Sequence, residues 1–289
     1  MAKERLDVLL VALGLAESRS QAQRLVMAGQ VRVGGQVVLN PATGVPADAS
    51  ISLDKRPQYV SRGGEKLEAA LNAFNIAVQG CFCADVGAST GGFTDCLLQH
   101  GAQQVFAIDV GQGILEWKLR QDPRVIVMEE TNARFVERLP RPVDLITVDA
   151  SFISLKILLP VVKGWLPAIE SGGGTVIALI KPQFEAGRAL VGRGKGVIRD
   201  PLVHRQVVTN VLAFAQSLGY SLHGLISSPI RGPKGNVEFL AYFQSLTQAG
   251  VTAEELLERC FVQDNIGTVP LSVSAQQTSV GEDDSDEHA

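Results

Sequence analysis

Apolar and polar positions divide the chain into zones of different period. In the first, Leu6, Leu9, Leu10 and Leu13 recur at helical spacing and stop at Gly14. Ser18 with Gln21 forms a capping-box pattern that opens a second helix. That helix is expected to bury Ala22, Leu25 and Val26 and to end at Gly29, with Arg19, Gln23 and Arg24 largely off the apolar stripe. Residues 31–38 then alternate around Gly34-Gly35, which predicts a hairpin with a tight turn. Residues 1–59 read as a small α+β unit with its linker, and residues 51–61 join it to the second zone.

From 60 to 246, short apolar runs alternate with helical stretches. The runs at 81–86, 104–108, 125–128, 143–148 and 174–180 have the near-continuous hydrophobicity of strands buried on both faces. They predict an α/β domain with a central, mostly parallel sheet covered by helices. A last strand begins in 236–240. Residues 251–262 predict one more helix within a C-terminal segment 247–267, and from 268 to 289 Ser, Gln, Thr and acids dominate, as in a disordered acidic tail.

Composition adds exclusions. A length of 289 residues, 46% hydrophobic and 19% charged, suits a soluble protein of roughly two domains. No run approaches the roughly 18 apolar residues that span a bilayer. The start, Met1-Ala2-Lys3-Glu4-Arg5, lacks the layout of a secretory signal, so a cytoplasmic location is expected. Cys81 and Cys83 share one strand face with no His or Cys pair at metal-ligand spacing; all four cysteines read as inert thiols, and no metal site is expected. The net charge of −4 is uneven. Five acids lie in the last eight residues, while residues 1–66 carry nine bases against six acids, a local basic surface.

The densest chemical signal is Ala84-Asp85-Val86-Gly87-Ala88-Ser89-Thr90-Gly91-Gly92-Phe93, where the run 81–86 turns into a helix reaching about His100. Glycines at such a turn let a ligand approach the backbone, in the crevice where open α/β sheets hold cofactors. Their spacing is not the G-x-G-x-x-G of a pyrophosphate site, and an acid, Asp85, precedes them. A carboxylate there opposes a diphosphate and suits a ligand bearing an ammonium and a sulfonium. The pattern resembles the first motif of S-adenosyl-L-methionine-dependent methyltransferases, which makes Asp85, Gly87, Ser89, Gly91, Gly92 and Phe93 the expected cofactor residues. Asp109 ends the next run about 20 residues past the loop, where an acid takes both hydroxyls of an adenosine ribose; its alternative is a helix cap. The resemblance puts Asn132 near the adenine ring.

Asp149 ends the run 143–148, Lys181 follows 174–180, Glu238 opens the last strand, and Lys66 lies in the helix that enters the domain. Taken singly, each reads as a surface salt bridge; if the strands are neighbours, the charges converge at the pocket mouth. Lys66, Asp149, Lys181 and Glu238 match the K-D-K-E tetrad of FtsJ-like ribose 2′-O-methyltransferases. With Arg62-Gly63-Gly64-Glu65-Lys66-Leu67 and Val148-Asp149-Ala150-Ser151-Phe152-Ile153-Ser154, the chain resembles the TlyA (hemolysin A-like) family over nearly everything but the tail. That resemblance implies a Rossmann-like methyltransferase domain acting on a cytidine 2′-hydroxyl of ribosomal RNA, 16S and/or 23S. A ribose hydroxyl must lose its proton as it attacks a sulfonium methyl. Lys181 is therefore expected as general base, Lys66 as a second cation, and Asp149 and Glu238 as the groups that fix the lysines and the ribose.

Arg5-Leu6-Asp7, Ser18-Arg19, Ala22, Leu25 and residues 29–33 resemble the ribosomal-protein S-four-type RNA-binding domain over residues 3–50 or so. The resemblance implies RNA contacts by Arg5, Arg19, Arg24 and Arg32; the alternative is a helical module that binds protein. Arg188 and Arg193, in a glycine-rich basic stretch, and the similar segment 231–235 are expected to rim the pocket and meet RNA phosphates, unless they are plain surface loops. Ribosomal RNA or ribosomal subunits are the expected partners. A catalytically idle RNA-binding protein and a membrane-active hemolysin are the competing readings. The tetrad argues against the first, and the lack of a spanning or strongly basic amphipathic segment against the second.

Overall fold

A computed structural model of the protein describes residues 3–27, 29–53, 58–187, 196–246 and 250–263. Arg188, Arg193 and the tail expected from 268 lie outside them.

The N-terminal unit contains β1 (Lys3–Arg5), α1 (Leu6–Ala12), α2 (Arg19–Met27), β2 (Val31–Val33), β3 (Gln36–Val37), β4 (Gly44–Pro46) and β5 (Ile51–Leu53). Its core is built from Leu6, Leu9 and Leu10 of α1, Ala22, Leu25 and Val26 of α2, and Val31 and Val45. The Gln21 N–H donates to Ser18 Oγ at 3.2 Å, while the Gln21 side chain accepts from the Glu17 N–H at 2.7 Å. The capping box thus closes one residue earlier than its sequence pattern implies. β2 and β3 form the expected hairpin, and β1 pairs antiparallel with β4.

Two expectations need correcting. The helical spacing that runs to Leu13 overshoots the helix: α1 ends at Ala12, and Leu13 is half exposed where the chain turns away at Gly14. The connector is also shorter than 51–61. Ile51–Leu53 pairs with β2 as a third strand of that sheet, and Tyr59 is buried beside Leu67 in the core of the larger domain.

In the larger domain, the elements run α3 (Gly63–Phe74), β6 (Phe82–Val86), α4 (Gly92–Gln99), β7 (Gln104–Ile108), α5 (Trp117–Arg120), β8 (Val125–Met128), β9 (Leu145–Val148), α6 (Leu155–Lys163), β10 (Thr175–Ile180), α7 (Pro182–Glu185), α8 (Pro201–Ser217), β11 (Ser221–Ser227), β12 (Phe239–Gln244) and α9 (Ala253–Gln263). The seven strands lie in the order β11-β12-β10-β9-β6-β7-β8. β10, β9, β6, β7 and β8 are parallel to one another, and β12 runs antiparallel to both β10 and β11. Strand alternation builds a core on each face. Ala84, Val86, Ile146, Val148, Ala178 and Ile180 pack towards α6, α8 and α9, while Cys83, Leu145, Ile177 and Leu179 pack towards α3 and α4. Burial on both faces is why these strands read as unbroken apolar runs.

The stretch 187–199, which shows no apolar pattern, nonetheless contains a buried position: Ile198 is enclosed, and its N–H donates to Asn236 Oδ1 at 3.1 Å. The four cysteines are free thiols, and burial pushes Cys96 up to about 12 and raises Cys83 as well, as expected for unreactive side chains.

Candidate active site

β6 is the strand at which the chain changes direction across the sheet: β7 and β8 lie on one side of it and β9 on the other. The crevice at its carboxyl end is where open α/β sheets bind ligands. Gly87 opens this crevice with φ of +85°, and a Cβ there would come within 2.6 Å of the Asp149 carbonyl oxygen. Only glycine lets the ends of β6 and β9 meet so closely. The second close approach is at Gly92, the first residue of α4, where a Cβ would lie 2.9 Å from the Gly64 nitrogen. The amino ends of α3 and α4 therefore abut, and Lys66 on α3 is carried to the glycine loop.

Above the loop is a cavity of about 1150 Å³ lined by Gly87, Ser89, Gly92, Phe93 and all four tetrad residues. Lys66, Asp149, Lys181 and Glu238 come from α3 and from the ends of β9, β10 and β12. Because β12 runs backwards, Phe239 at its start pairs with Ile180 at the end of β10, which sets Glu238 at the same edge of the sheet as Lys181 and Asp149. The four charges form two separate pairs. Lys66 Nζ lies 2.5 Å from Glu238 Oε2, with 10% and 0% of the side chains exposed. Lys181 Nζ lies 2.6 Å from Asp149 Oδ1, with 9% and 21% exposed. Lys181 also donates to Ser151 Oγ at 2.9 Å and to the Asp149 carbonyl at 3.4 Å, so all three protons of its ammonium have acceptors.

Other expected residues are placed differently. Asp85 does not line the cavity. It is fully buried beneath the loop, accepting from Thr94 Oγ1 at 2.7 Å and Thr147 Oγ1 at 2.9 Å. Burial, only partly countered by those hydroxyls, pushes its carboxyl up to about 7. The reason is strand parity: Asp85 shares the face of Cys83 and points at α4 rather than out of the strand end. Asp109 stands at the end of β7, outside the residues that line the cavity. Its two oxygens accept from the Ser89 N–H at 2.8 Å and the Gly111 N–H at 2.7 Å. Asn132 ends the β8 connection and accepts from the Arg134 N–H at 3.2 Å. Gly91 shapes the loop without lining the cavity.

Several lining residues escaped the sequence reading. Phe152 is 90% exposed, has a φ of +65°, and packs against Phe184 with ring centroids 4.9 Å apart. A bulky residue in that backbone region is strained and marks a site under some other demand. Gln183 and Ser151 also line the cavity. Glu185 accepts from Ser154 Oγ at 2.6 Å and the Leu155 N–H at 2.7 Å, tying the Asp149–Phe152 loop to α7. The only available signal was that these residues sit within the two motifs that carry Asp149 and Lys181. Arg62, Arg231 and Lys234 give the cavity rim positive charge.

In the N-terminal unit, Arg5 and Arg19 converge on Asp7, which is fully buried. Arg5 Nε and Nη2 donate to its two oxygens at 3.0 and 2.9 Å, Arg19 Nε donates at 3.0 Å, and Gln23 adds a bond at 2.9 Å. The Arg5 guanidinium above all, with Gln23 and Arg19, holds the Asp7 carboxyl well below the usual carboxylate range. The two arginine side chains remain 46% and 56% exposed. Arg24 donates to Ser20 Oγ at 3.3 Å and Arg32 to the Gly35 carbonyl at 3.2 Å.

A family model described as FtsJ-like methyltransferase matches residues 59–245, and an S4 domain model matches residues 4–51. A Bacillus subtilis protein named as a candidate rRNA methyltransferase, YqxC, is 48% identical over 83% of this chain and 85% of its own. The 16S/23S rRNA (cytidine-2′-O)-methyltransferase TlyA of Mycobacterium tuberculosis is 45% identical over 88% of this chain and 94% of its own. A solved structure from Streptococcus thermophilus, described as a candidate hemolysin, is 42% identical with a TM-score of 0.67, covering 92% of this chain and 98% of that one. Among the described residues, no helix is long and apolar enough to cross a membrane.

Proposed function

The chain belongs to the FtsJ-like methyltransferase family, with an S4 domain ahead of the catalytic one, and from that premise we propose that it transfers a methyl group from S-adenosyl-L-methionine to the 2′-hydroxyl of a cytidine in 16S or 23S ribosomal RNA, or both. The observation that carries this reading is the two lysine–carboxylate contacts, one buried and one partly so, facing one cavity above the glycine loop. The similar TlyA protein, named for that reaction, supports it.

The cavity fits the cofactor. Its lining includes Gly87, Ser89 and Gly92, the two glycines letting neighbouring chain close up around the loop, and Asp109, one strand away, accepts from the Ser89 N–H. Asp109 would take the ribose hydroxyls of the cofactor and Asn132 would flank its adenine, while Asp85, buried under the loop, would support the loop's shape rather than touch the ligand. Gly91 and Phe93 complete that turn. When bound, the cofactor supplies an electrophilic methyl group on a sulfonium.

The sugar oxygen must then be held in line with that methyl while its proton leaves. Lys181, in its neutral form, accepts the proton; Asp149 and Ser151 hold the amine in place and stabilise the ammonium that results. Lys66, neutralised by Glu238, sets the opposite wall and orients the hydroxyl. Such base assistance contributes about 10²–10⁴-fold, and alignment of the reacting atoms contributes more. Phe152, exposed at the mouth and backed by Phe184, offers a flat face on which a base taken out of its RNA stack can rest. Arg5, Arg19, Arg24 and Arg32, with the cavity-rim residues Arg62, Arg231 and Lys234, would meet phosphates. Ribosomal subunits are the partners this implies, and the cytoplasm the location.

The test is incubation of the protein with labelled cofactor and separated small and large ribosomal subunits, followed by mapping of the modified sugar. A 2′-O-methylcytidine in at least one subunit is the expected product. Label in a base or in protein, or none in either subunit, overturns the proposal.

A further inference from the structure

Gln183 is the side chain that the tetrad leaves incomplete. It lies in the first turn of α7, two residues past Lys181, lines the cavity, and is only 8% exposed. Its Nε2 donates to Glu238 Oε1 at 3.4 Å. That contact fixes the amide's orientation, because turning it over would set the amide oxygen against a carboxylate oxygen. Gln183 Oε1 is then a buried acceptor with no partner among the described residues. Leaving such a group unsatisfied costs on the order of a hydrogen bond, so it points to a donor brought by something else.

The tetrad narrows what that donor is. In the proposed reaction, on which this inference rests, the hydroxyl proton of the target sugar goes to Lys181. Within an RNA strand the 3′ and 5′ oxygens are esterified, so the sugar has no second proton to give. The remaining donors of the target nucleotide are on its base. At the position where cytosine carries an amino group, a donor, uracil carries a carbonyl, an acceptor.

We propose that Gln183 reads the base: its amide oxygen accepts a hydrogen bond from the 4-amino group of cytosine and sets an acceptor against the 4-oxygen of uracil. A site built around a hydrogen bond rejects an analogue lacking it far better than an apolar pocket rejects a missing methylene, because the buried acceptor is left unpaired. Gln183 is thereby a specificity-determining residue, and the lysines alone make the hydroxyl reactive.

The probes are cytidine and uridine 5′-monophosphates, titrated by NMR against the full chain. The wild type is expected to bind the cytidine nucleotide about 5- to 50-fold more tightly. Gln183→Met, similar in length and without the acceptor, is expected to erase the preference by weakening the cytidine nucleotide alone; Gln183→Leu serves if thermal melting shows the Met variant misfolded. Equal affinities in the wild type, or a preference that survives in a folded variant, overturn the inference. Methyl transfer is scored separately. A nucleotide preference that depends on Gln183, with no label reaching either subunit, sinks the proposed reaction and leaves this base-reading role standing.

Discussion

Each of the two regions buries an aspartate completely, and the two are pushed in opposite directions. Asp7 in the N-terminal unit is met by Arg5, Arg19 and Gln23, and its carboxyl stays ionised far into acid. Asp85 in the larger domain is met by two threonine hydroxyls and no cation, and burial pushes it up to about 7. Asp7 is shielded by half-exposed arginines and Asp85 by the core of its domain, so loss of contact with water does not by itself set a carboxylate's charge; the partners and the surroundings do. The difference extends to the lysines and arginines around them. Asp7 fixes the inner ends of two guanidinium groups whose outer edges face water, which suits presentation of charge to a phosphate backbone. In the cavity each lysine has its own carboxylate and little exposure, which suits control of a single proton.

The sharpest way to break that contrast is at Lys181. Lys181→Ala is expected to lower methyl transfer by about 10²–10⁴-fold while cofactor affinity stays within about threefold. Substantial turnover by the folded variant would remove Lys181 from the role of base.

The second pair tests enclosure as a matter of stability. Removing either member alone, by Lys66→Met or Glu238→Leu, leaves a buried charge without its counterion and should cost about 3–5 kcal/mol in urea unfolding. Combining the two should recover most of that loss, because two apolar side chains replace two charges, yet should not restore turnover. If the double variant is as unstable as the singles combined, the two residues contribute independently and mutual neutralisation is not what holds them.

Next in size is the state of Asp85. Its folded-state value lies above that of an unfolded aspartate, so between about pH 4 and pH 7 the folded chain holds a proton that the unfolded chain releases. Stability should fall as pH rises through that window, by up to about 4 kcal/mol. Asp85→Asn should flatten the dependence. Asp7 acts in the other sense: its contribution is present at neutral pH and is lost only in acid.

How much of this could be read beforehand depended on whether a residue's surroundings were local in sequence. Four of the five parallel strands, β10, β9, β6 and β7, were legible because burial on both faces leaves few polar positions in them; β8, at the edge, exposes Ile126 and was legible by its unbroken apolar run alone. β1 was not, since Lys3, Glu4 and Arg5 are all exposed and only its partner 44–46 makes it a strand. The tetrad was recognised by residue type, but its pairing was not: Lys66 and Glu238 are 172 residues apart, and no spacing rule joins them. Asp85 was misplaced although the alternation that buries it, with Cys83, was visible in the chain. The exposure of Phe152 left no trace in composition or period, because it is created by one backbone angle in a loop.

Phe152 gives a smaller test. Phe152→Gly should relieve the strained backbone and raise stability by about 1 kcal/mol, yet weaken productive RNA binding by about 1–3 kcal/mol through loss of a stacking face. A variant that is stabilised and fully active would deny the ring any role in holding a base.

The smallest effect should come from the N-terminal unit, and its form matters more than its size. Arg19→Ala removes one half-exposed cation while Arg5 keeps Asp7 paired, so folding should survive. Because a phosphate contact carries no sequence information, binding should weaken by about 3- to 10-fold for every RNA tested, and the slope of log affinity against log salt should become shallower by about one. Turnover at saturating substrate should be unchanged, since the cavity keeps all its groups. An effect on the rate at saturation, with the salt slope intact, would mean that Arg19 acts on the chemistry rather than on docking, and the division between a presenting region and an enclosing one would fail.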